Sequence, residues 1–232
     1  MGLPIVGHSK LSIADYPGRL CATAVVPGCN FRCPFCPKEE LIHHYIPMEK
    51  IPAVDYLQMV YPRIGFLSGI TITGGEPTLH DYLPDFLKEL KLQGYKIKLD
   101  TNASKPKRLQ RLIERELVDY FSVFLVAPIY KYPEVARYRI KPEIMRKSIQ
   151  IIRKSEVPRE WVVMPVPGIN EIEDIEAISR SIAGARKLVI RKFKHEKTLD
   201  PKCMDIDPFS DEDLKEIRDR VAPYFHEVQI ED

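Results

Sequence analysis

The sequence predicts an α/β protein built as a partial, open (β/α)6 barrel. Three observations carry that reading. Six short apolar runs of strand character alternate with six amphipathic segments of helical character. Such alternation implies parallel strands joined by right-handed crossovers, and six units fall short of the eight that close a full barrel. The 232 residues are 44% hydrophobic and 29% charged, which supplies a real core, and they are read as one domain, residues 1–232.

The elements follow in order. Leu20–Val26 reads as the first buried strand and Ala53–Tyr61 as the first helix. Gly69–Thr73 precedes Tyr82–Gln93, Tyr95–Asp100 precedes Pro106–Glu116, and Phe121–Val126 precedes Pro142–Lys154. Glu160–Val166 is followed by Ile172–Ala183, and Lys187–Arg191 by Asp211–Val221. The last helix has a clear start: Ser210 as N-cap, Glu212 in the first turn and Asp213 three residues on. His226–Ile230 has strand character and closes the chain. Cys21 should be buried within its strand, and Trp161 should belong to the core.

A net charge of +2 is too small to mark a nucleic-acid binder. Two local basic stretches, Lys105, Lys107, Arg108, Arg111 and then Arg191, Lys192, Lys194, could meet an anionic substrate, although solvated faces are the commoner outcome. No apolar run approaches the ~20 residues of a membrane span. Met1 to Ala14 lacks the basic and apolar regions of a secretory signal. A cytoplasmic location without a membrane partner is therefore expected.

Of five cysteines, Cys29, Cys33 and Cys36 fall within eight residues, which in a reducing compartment favours metal ligation over disulfides. They sit directly after the first predicted strand, in Pro27-Gly28-Cys29-Asn30-Phe31-Arg32-Cys33-Pro34-Phe35-Cys36-Pro37. In (β/α) folds chemistry gathers at the carboxyl ends of the strands. Three thiolates at this spacing can hold three irons of a 4Fe–4S cluster and leave the fourth open to substrate. Two other readings stay open on spacing alone: zinc completed by His43 or His44, and an electron-transfer cluster that recruits Cys203. Cys203 could also donate hydrogen, but a lone cysteine is usually inert packing.

Two further strand ends carry polar groups. After the second predicted strand stands Thr73-Gly74-Gly75-Glu76-Pro77, where the glycines expose backbone groups and Glu76 offers an acceptor suited to an ammonium. The plain alternative is a turn with a solvated carboxylate. After the third comes Asp100-Thr101-Asn102-Ala103, whose side chains suit either ribose hydroxyls or the capping of the helix at Pro106.

The CxxxCxxC loop, with Phe35 just before its third cysteine, resembles the signature of the radical S-adenosylmethionine enzymes. The resemblance implies a 4Fe–4S cluster on Cys29, Cys33 and Cys36, with S-adenosylmethionine as second cofactor. It places Phe35 beside the adenine. Gly74, Gly75, Glu76 and Pro77 would form the motif that holds the methionine amino group, and Asp100 and Asn102 the segment near the ribose. Leu11-Ser12-Ile13-Ala14-Asp15-Tyr16-Pro17-Gly18-Arg19 resembles the lead-in of activating proteins for anaerobic ribonucleoside-triphosphate reductase. Asp81-Tyr82-Leu83, Lys98-Leu99-Asp100-Thr101-Asn102, Tyr132-Pro133-Glu134-Val135 and Lys197-Thr198-Leu199-Asp200-Pro201 read like the same group. A glycyl radical enzyme as partner and a flavodoxin- or ferredoxin-type electron donor follow from that likeness. Direct radical modification of a small molecule, nucleoside or peptide is the alternative, and a non-catalytic Fe–S or zinc module the second alternative.

The chain departs from the activase pattern at the fourth strand. Phe124 and Val126 stand where an Asp-x-Lys pair is usual, and Val162 stands where the fifth strand often supplies an arginine. Pro37-Lys38 replaces the usual residues after the third cysteine. Apolar residues cannot reproduce charge-assisted hydrogen bonds. Lys131, Arg137, Lys141 and Arg191 are candidates to compensate, and the sequence selects none of them.

Overall fold

The computed structural model describes residues 2–42 and 48–231. Eight strands form one sheet in chain order: β1 (Gly7–Ser12), β2 (Cys21–Val26), β3 (Gly69–Gly74), β4 (Lys96–Thr101), β5 (Tyr120–Phe124), β6 (Arg159–Val163), β7 (Ala185–Arg191) and β8 (Phe225–Glu231). From β2 to β8 every neighbouring pair is parallel, while β1 runs antiparallel to β2. The sheet order begins at β1 and ends at β8, so the barrel stays open.

The helices are α1 (Glu39–Ile42), α2 (Ala53–Val60), α3 (Leu83–Leu92), α4 (Pro106–Glu114), α5 (Tyr132–Val135), α6 (Pro142–Lys154), α7 (Ile172–Ser181) and α8 (Asp211–Val221). The six expected strands are β2 to β7, and the six expected helices are α2, α3, α4, α6, α7 and α8. The sequence reading has no counterpart for β1, whose Gly-His-Ser-Lys-Leu-Ser run is half exposed and carries no apolar signal. The expected tail strand is β8, paired in parallel with β7 over its length. Ser210 and Asp213 form a reciprocal capping box on α8, as the sequence anticipates. Among the described residues no helix is long and apolar enough to cross a membrane.

Strand period divides the sheet into two faces. Ile70, Ile72, Ile97, Leu99, Phe121, Val123, Trp161, Val163, Leu188 and Ile190 are fully or almost fully buried, in one cluster with the apolar stripes of the helices. Trp161 and Cys21 are enclosed, as expected. The other face lines the lumen and is charged. Lys98 Nζ lies 2.8 Å from Asp100 and 3.8 Å from Glu160; Lys187 lies 3.6 Å from Glu160 and 3.9 Å from Glu227. Opposite charges meet along β4 and between β4, β6, β7 and β8, so each low-dielectric charge has a counterion within about 4 Å. The apolar face builds stability, and the polar face is left for chemistry.

Candidate functional site

The chain leaves β2 at Val26 and enters the cysteine loop, which is clamped by backbone contacts from four places. Gly28 N–H donates to Leu41 O (2.6 Å) and Arg32 N–H to Ala136 O (2.7 Å). Leu199 N–H donates to Cys36 O (2.8 Å), and Asp200 N–H to Pro34 O (2.9 Å). Glu76 N–H, arriving from the end of β3, donates to Gly28 O (2.7 Å). Thus the Lys197–Pro201 segment, more than 150 residues away in sequence, braces the loop.

Cys33 is buried, and Cys29 and Cys36 are half-buried. Burial pushes the Cys29 thiol up to about 11, partly offset by the Phe31 backbone N–H that lies 3.4 Å from its sulfur. Burial likewise raises Cys33 and Cys36. Such thiols keep their protons until a cation replaces them, so metal loading must release protons. Among the described residues no three His, Cys, Asp or Glu side chains converge on a single ion. Thiolates that each hold a different iron of a cubane need no such convergence. The zinc alternative with His43 or His44 lies outside the described residues. Cys203 is buried in the hydrophobic core, on the 3-10 turn Pro201–Asp205.

The two glycines after β3 have a steric reason. Gly74 adopts φ +123°, and a Cβ on it would stand 2.2 Å from Val26 O. A Cβ on Gly75 would stand 2.0 Å from Gly28 O. The end of β3 therefore crosses the cysteine loop backbone to backbone, which only glycine permits. Lys38 Nζ reaches Gly74 O at 3.4 Å.

Glu76 is completely enclosed. Its Oε1 accepts from Thr78 N (2.9 Å), Thr101 Oγ1 (2.8 Å) and the Thr78 hydroxyl, and Oε2 accepts from Asn102 N (2.6 Å). Burial holds its carboxyl above the usual range, and these donors offset that only in part. The carboxylate is therefore not solvated, and it ties the ends of β3 and β4 together. A carboxylate offers about four acceptor sites, so only Oε2 keeps capacity for a further donor. Pro77, also buried, opens the 3-10 turn that Glu76 caps.

That tie aims Asn102. Its Nδ2 lies 3.7 Å from Cys29 Sγ and 3.1 Å from Asn30 Oδ1, while its Oδ1 accepts from Ser104 N (2.9 Å). Ala103, next in the chain, is held at φ +58°, an unusual conformation for a residue with a side chain. Asp100 lies on the lumen face, paired with Lys98. Phe35 is buried in the core cluster beside Cys36. Asn30 and Ser104, hydrogen-bonded at 3.0 Å, also belong to this site, and the motifs alone give neither a role. Their polar side chains at two strand ends were the available signal.

At the fourth parallel strand the geometry selects one of the four candidate cations. Arg191 Cζ lies 5.1 Å from the centroid of the Phe124 ring and pairs with Glu231 at 3.2 Å. Lys131 is committed to Asp174 (2.5 Å) and Arg137 to Asp200 (2.6 Å). Lys141 is exposed on the outside. Val162 stands opposite Phe124 in the β5–β6 register.

Comparison with known proteins agrees with this arrangement. Residues 23–182 match the family model of the Radical SAM superfamily. A protein of Methanocaldococcus jannaschii, named as a candidate glycyl-radical enzyme activating enzyme, is 28% identical over 97% of this chain and 95% of its own. A 7-carboxy-7-deazaguanine synthase of Synechocystis is 28% identical over 59% of this chain and 57% of its own. The crystal structure of Streptococcus suis SuiB bound to S-adenosylmethionine superposes with a TM-score of 0.67 at 16% identity, covering 88% of this chain and 48% of that one. The family match runs from the strand that launches the cysteine loop to the helix behind β6. The protein is accordingly an enzyme of the radical SAM superfamily, whose members work with a 4Fe–4S cluster and S-adenosylmethionine.

Proposed function

We propose that the protein is an activase: it cleaves S-adenosylmethionine reductively and directs the resulting radical to a glycine of a partner enzyme. Cys29, Cys33 and Cys36 are the residues that would hold the cluster. A cluster bound there would supply, once reduced, the single electron that cleavage of a carbon–sulfur bond in S-adenosylmethionine needs.

The chain's own part is orientation. Gly74 and Gly75 bring the backbone at the end of β3 onto the cysteine loop, where its carbonyls suit the ammonium of the methionine moiety. Glu76 holds the β3 and β4 ends in register, so Asn102 stays against Cys29. Phe35 and Asn102 remain the candidates to flank the nucleoside. The observation that carries the reading is this convergence of two strand ends on Cys29. The activase assignment is supported by likeness to the Methanocaldococcus jannaschii protein over nearly all of both chains. An electron donor of flavodoxin or ferredoxin type is part of the proposal.

A second reading has its own support. Arg191 over Phe124, above a charged lumen, suits a small anionic or planar substrate, and likeness to a 7-carboxy-7-deazaguanine synthase points the same way. Reduced, cluster-loaded protein should convert S-adenosylmethionine to methionine and 5′-deoxyadenosine. Electron paramagnetic resonance should then detect a glycyl doublet on an added glycyl radical enzyme candidate. Efficient turnover of a heterocycle without any glycyl signal would favour the second reading.

A further inference from the structure

A cleft of about 480 Å³ lies between the start of α4 and the segment that leads into α6. Its floor is apolar, with Pro106, Ile140 and Ile144. Its rim carries Lys105, Lys107, Arg139, Lys141 and Lys147, and no carboxylate lines it. Arg108, the sixth cation, is already paired with Asp81. Among the described residues, none of the other five has a carboxylate partner. The chain as a whole is nearly neutral, at +2, so this accumulation of unneutralised charge is local.

Both walls of the cleft lead to the same sulfur. On one wall Ser104 Oγ accepts from Asn30 Nδ2 at 3.0 Å, and Ser104 N–H donates to Asn102 Oδ1 at 2.9 Å. Asn102 Nδ2 in turn lies 3.7 Å from Cys29 Sγ. On the other wall the Tyr138 ring lies 5.8 Å from the Phe31 ring, and Phe31 N lies 3.4 Å from Cys29 Sγ. The basic rim is thus the outer end of two short contact chains that begin at the first cysteine.

We propose that this cleft is the docking surface for an acidic one-electron carrier protein. The inference rests on the radical S-adenosylmethionine reading, which needs one electron per cleavage delivered near Cys29. A carrier in its reduced form gives that electron and leaves one-electron oxidised, and no bond forms or breaks at the cleft. Exposed ammonium and guanidinium groups spread around an apolar floor fit the steering of an acidic protein face. The long side chains cover apolar surface while their charges stay in water.

The test uses cluster-loaded protein and an acidic flavodoxin as probe. Calorimetric titration should show binding to wild type that weakens as salt is raised. The triple variant Lys107→Glu, Lys141→Glu, Lys147→Glu should bind at least about tenfold more weakly. A control triple on other surfaces, Lys88→Glu, Arg186→Glu, Lys215→Glu, should bind as wild type. Cleavage driven by dithionite, which needs no docking, should be equal in all three proteins. Unchanged flavodoxin affinity in the first triple would overturn the proposal. So would a parallel loss of dithionite-driven cleavage, which would make the cleft part of the substrate site. Salt-sensitive binding of polyuridylate, lost in the triple while flavodoxin binding persists, would assign the cleft to nucleic acid instead. Failure of dithionite-reduced wild type to cleave S-adenosylmethionine would sink the functional reading, whereas the flavodoxin affinities still judge the cleft by themselves.

Discussion

Arg191, at the end of β7, reaches past β6 to set its guanidinium 5.1 Å from the ring centroid of Phe124, at the end of β5. A cation–π contact therefore stands where the acid of the activase pattern would be, while Val126 holds the lysine's position. The two residues are expected to act as a unit. In a double-mutant cycle with Phe124→Leu and Arg191→Gln, the coupling in stability should be about 0.5–1 kcal/mol, typical of a partly exposed pair. Restoring the usual pair with Phe124→Asp and Val126→Lys should not speed cofactor cleavage, because Arg191 and Glu231 remain in place. Cleavage several-fold faster in that double mutant would show a crippled activase site.

The spacing and clamping of the loop predict a cubane. Protein purified without oxygen should carry roughly four irons and four sulfides. Cys29→Ala, Cys33→Ala and Cys36→Ala should each lose them, and Cys203→Ala should not. Iron and sulfide analysis decides the matter, and one zinc with no sulfide would refute the cluster.

Gly75→Ala should be more damaging than its size suggests. The added methyl would meet the Gly28 carbonyl at 2.0 Å, backbone against backbone, so the loop must move. A loss of at least about 1–3 kcal/mol is expected, as for overpacking, together with poor iron incorporation. Chemical denaturation and iron content would measure both.

Glu76→Ala should also destabilise, because it strands the buried Thr101 hydroxyl and Asn102 amide that now donate to the carboxylate. Each unsatisfied buried group costs about 1–3 kcal/mol. Glu76→Gln should recover part of the loss, since its carbonyl still accepts. If Glu76→Ala weakened cofactor binding without any loss of stability, its role as a tie would be wrong.

His80 predicts a pH dependence. Its Nε2 lies 2.8 Å from Pro27 O, and burial lowers its pKa despite that contact. A depressed folded-state pKa means that the folded protein binds this proton less readily than the unfolded chain. Stability from this group is present above the unfolded value of about 6.5 and is lost as pH falls from there through the lowered folded value. Thermal unfolding from pH 8 downward should show this decline in wild type and a shallower one in His80→Gln. Identical slopes would remove His80 as the cause.

Local features told most of the story in advance. Strands and helices announce themselves through periods of two and 3.6 residues, so six β/α units and an open barrel were legible. The cysteine loop is equally local: three cysteines within eight residues, directly after a strand, need no tertiary information to be recognised as candidate ligands. What the sequence left open depends on register between distant segments. It listed four cations that could replace the missing charged pair, and only the β5–β6–β7 order brings Arg191 onto Phe124. It offered Glu76 as a ligand-facing acceptor, and only the closeness of the β3 and β4 ends encloses that carboxylate among Thr78, Thr101 and Asn102. It marked Lys197–Pro201 by resemblance, and only folding lays Leu199 and Asp200 on the cysteine loop as a brace. The polar β1 carries no sequence signal because it is only half covered and has no apolar run, and pairing with β2 alone makes it a strand. The physical division is plain: side-chain chemistry and spacing determine which elements and which ligands exist, whereas hydrogen-bond partners across strand ends are decided by the packing that brings them within reach.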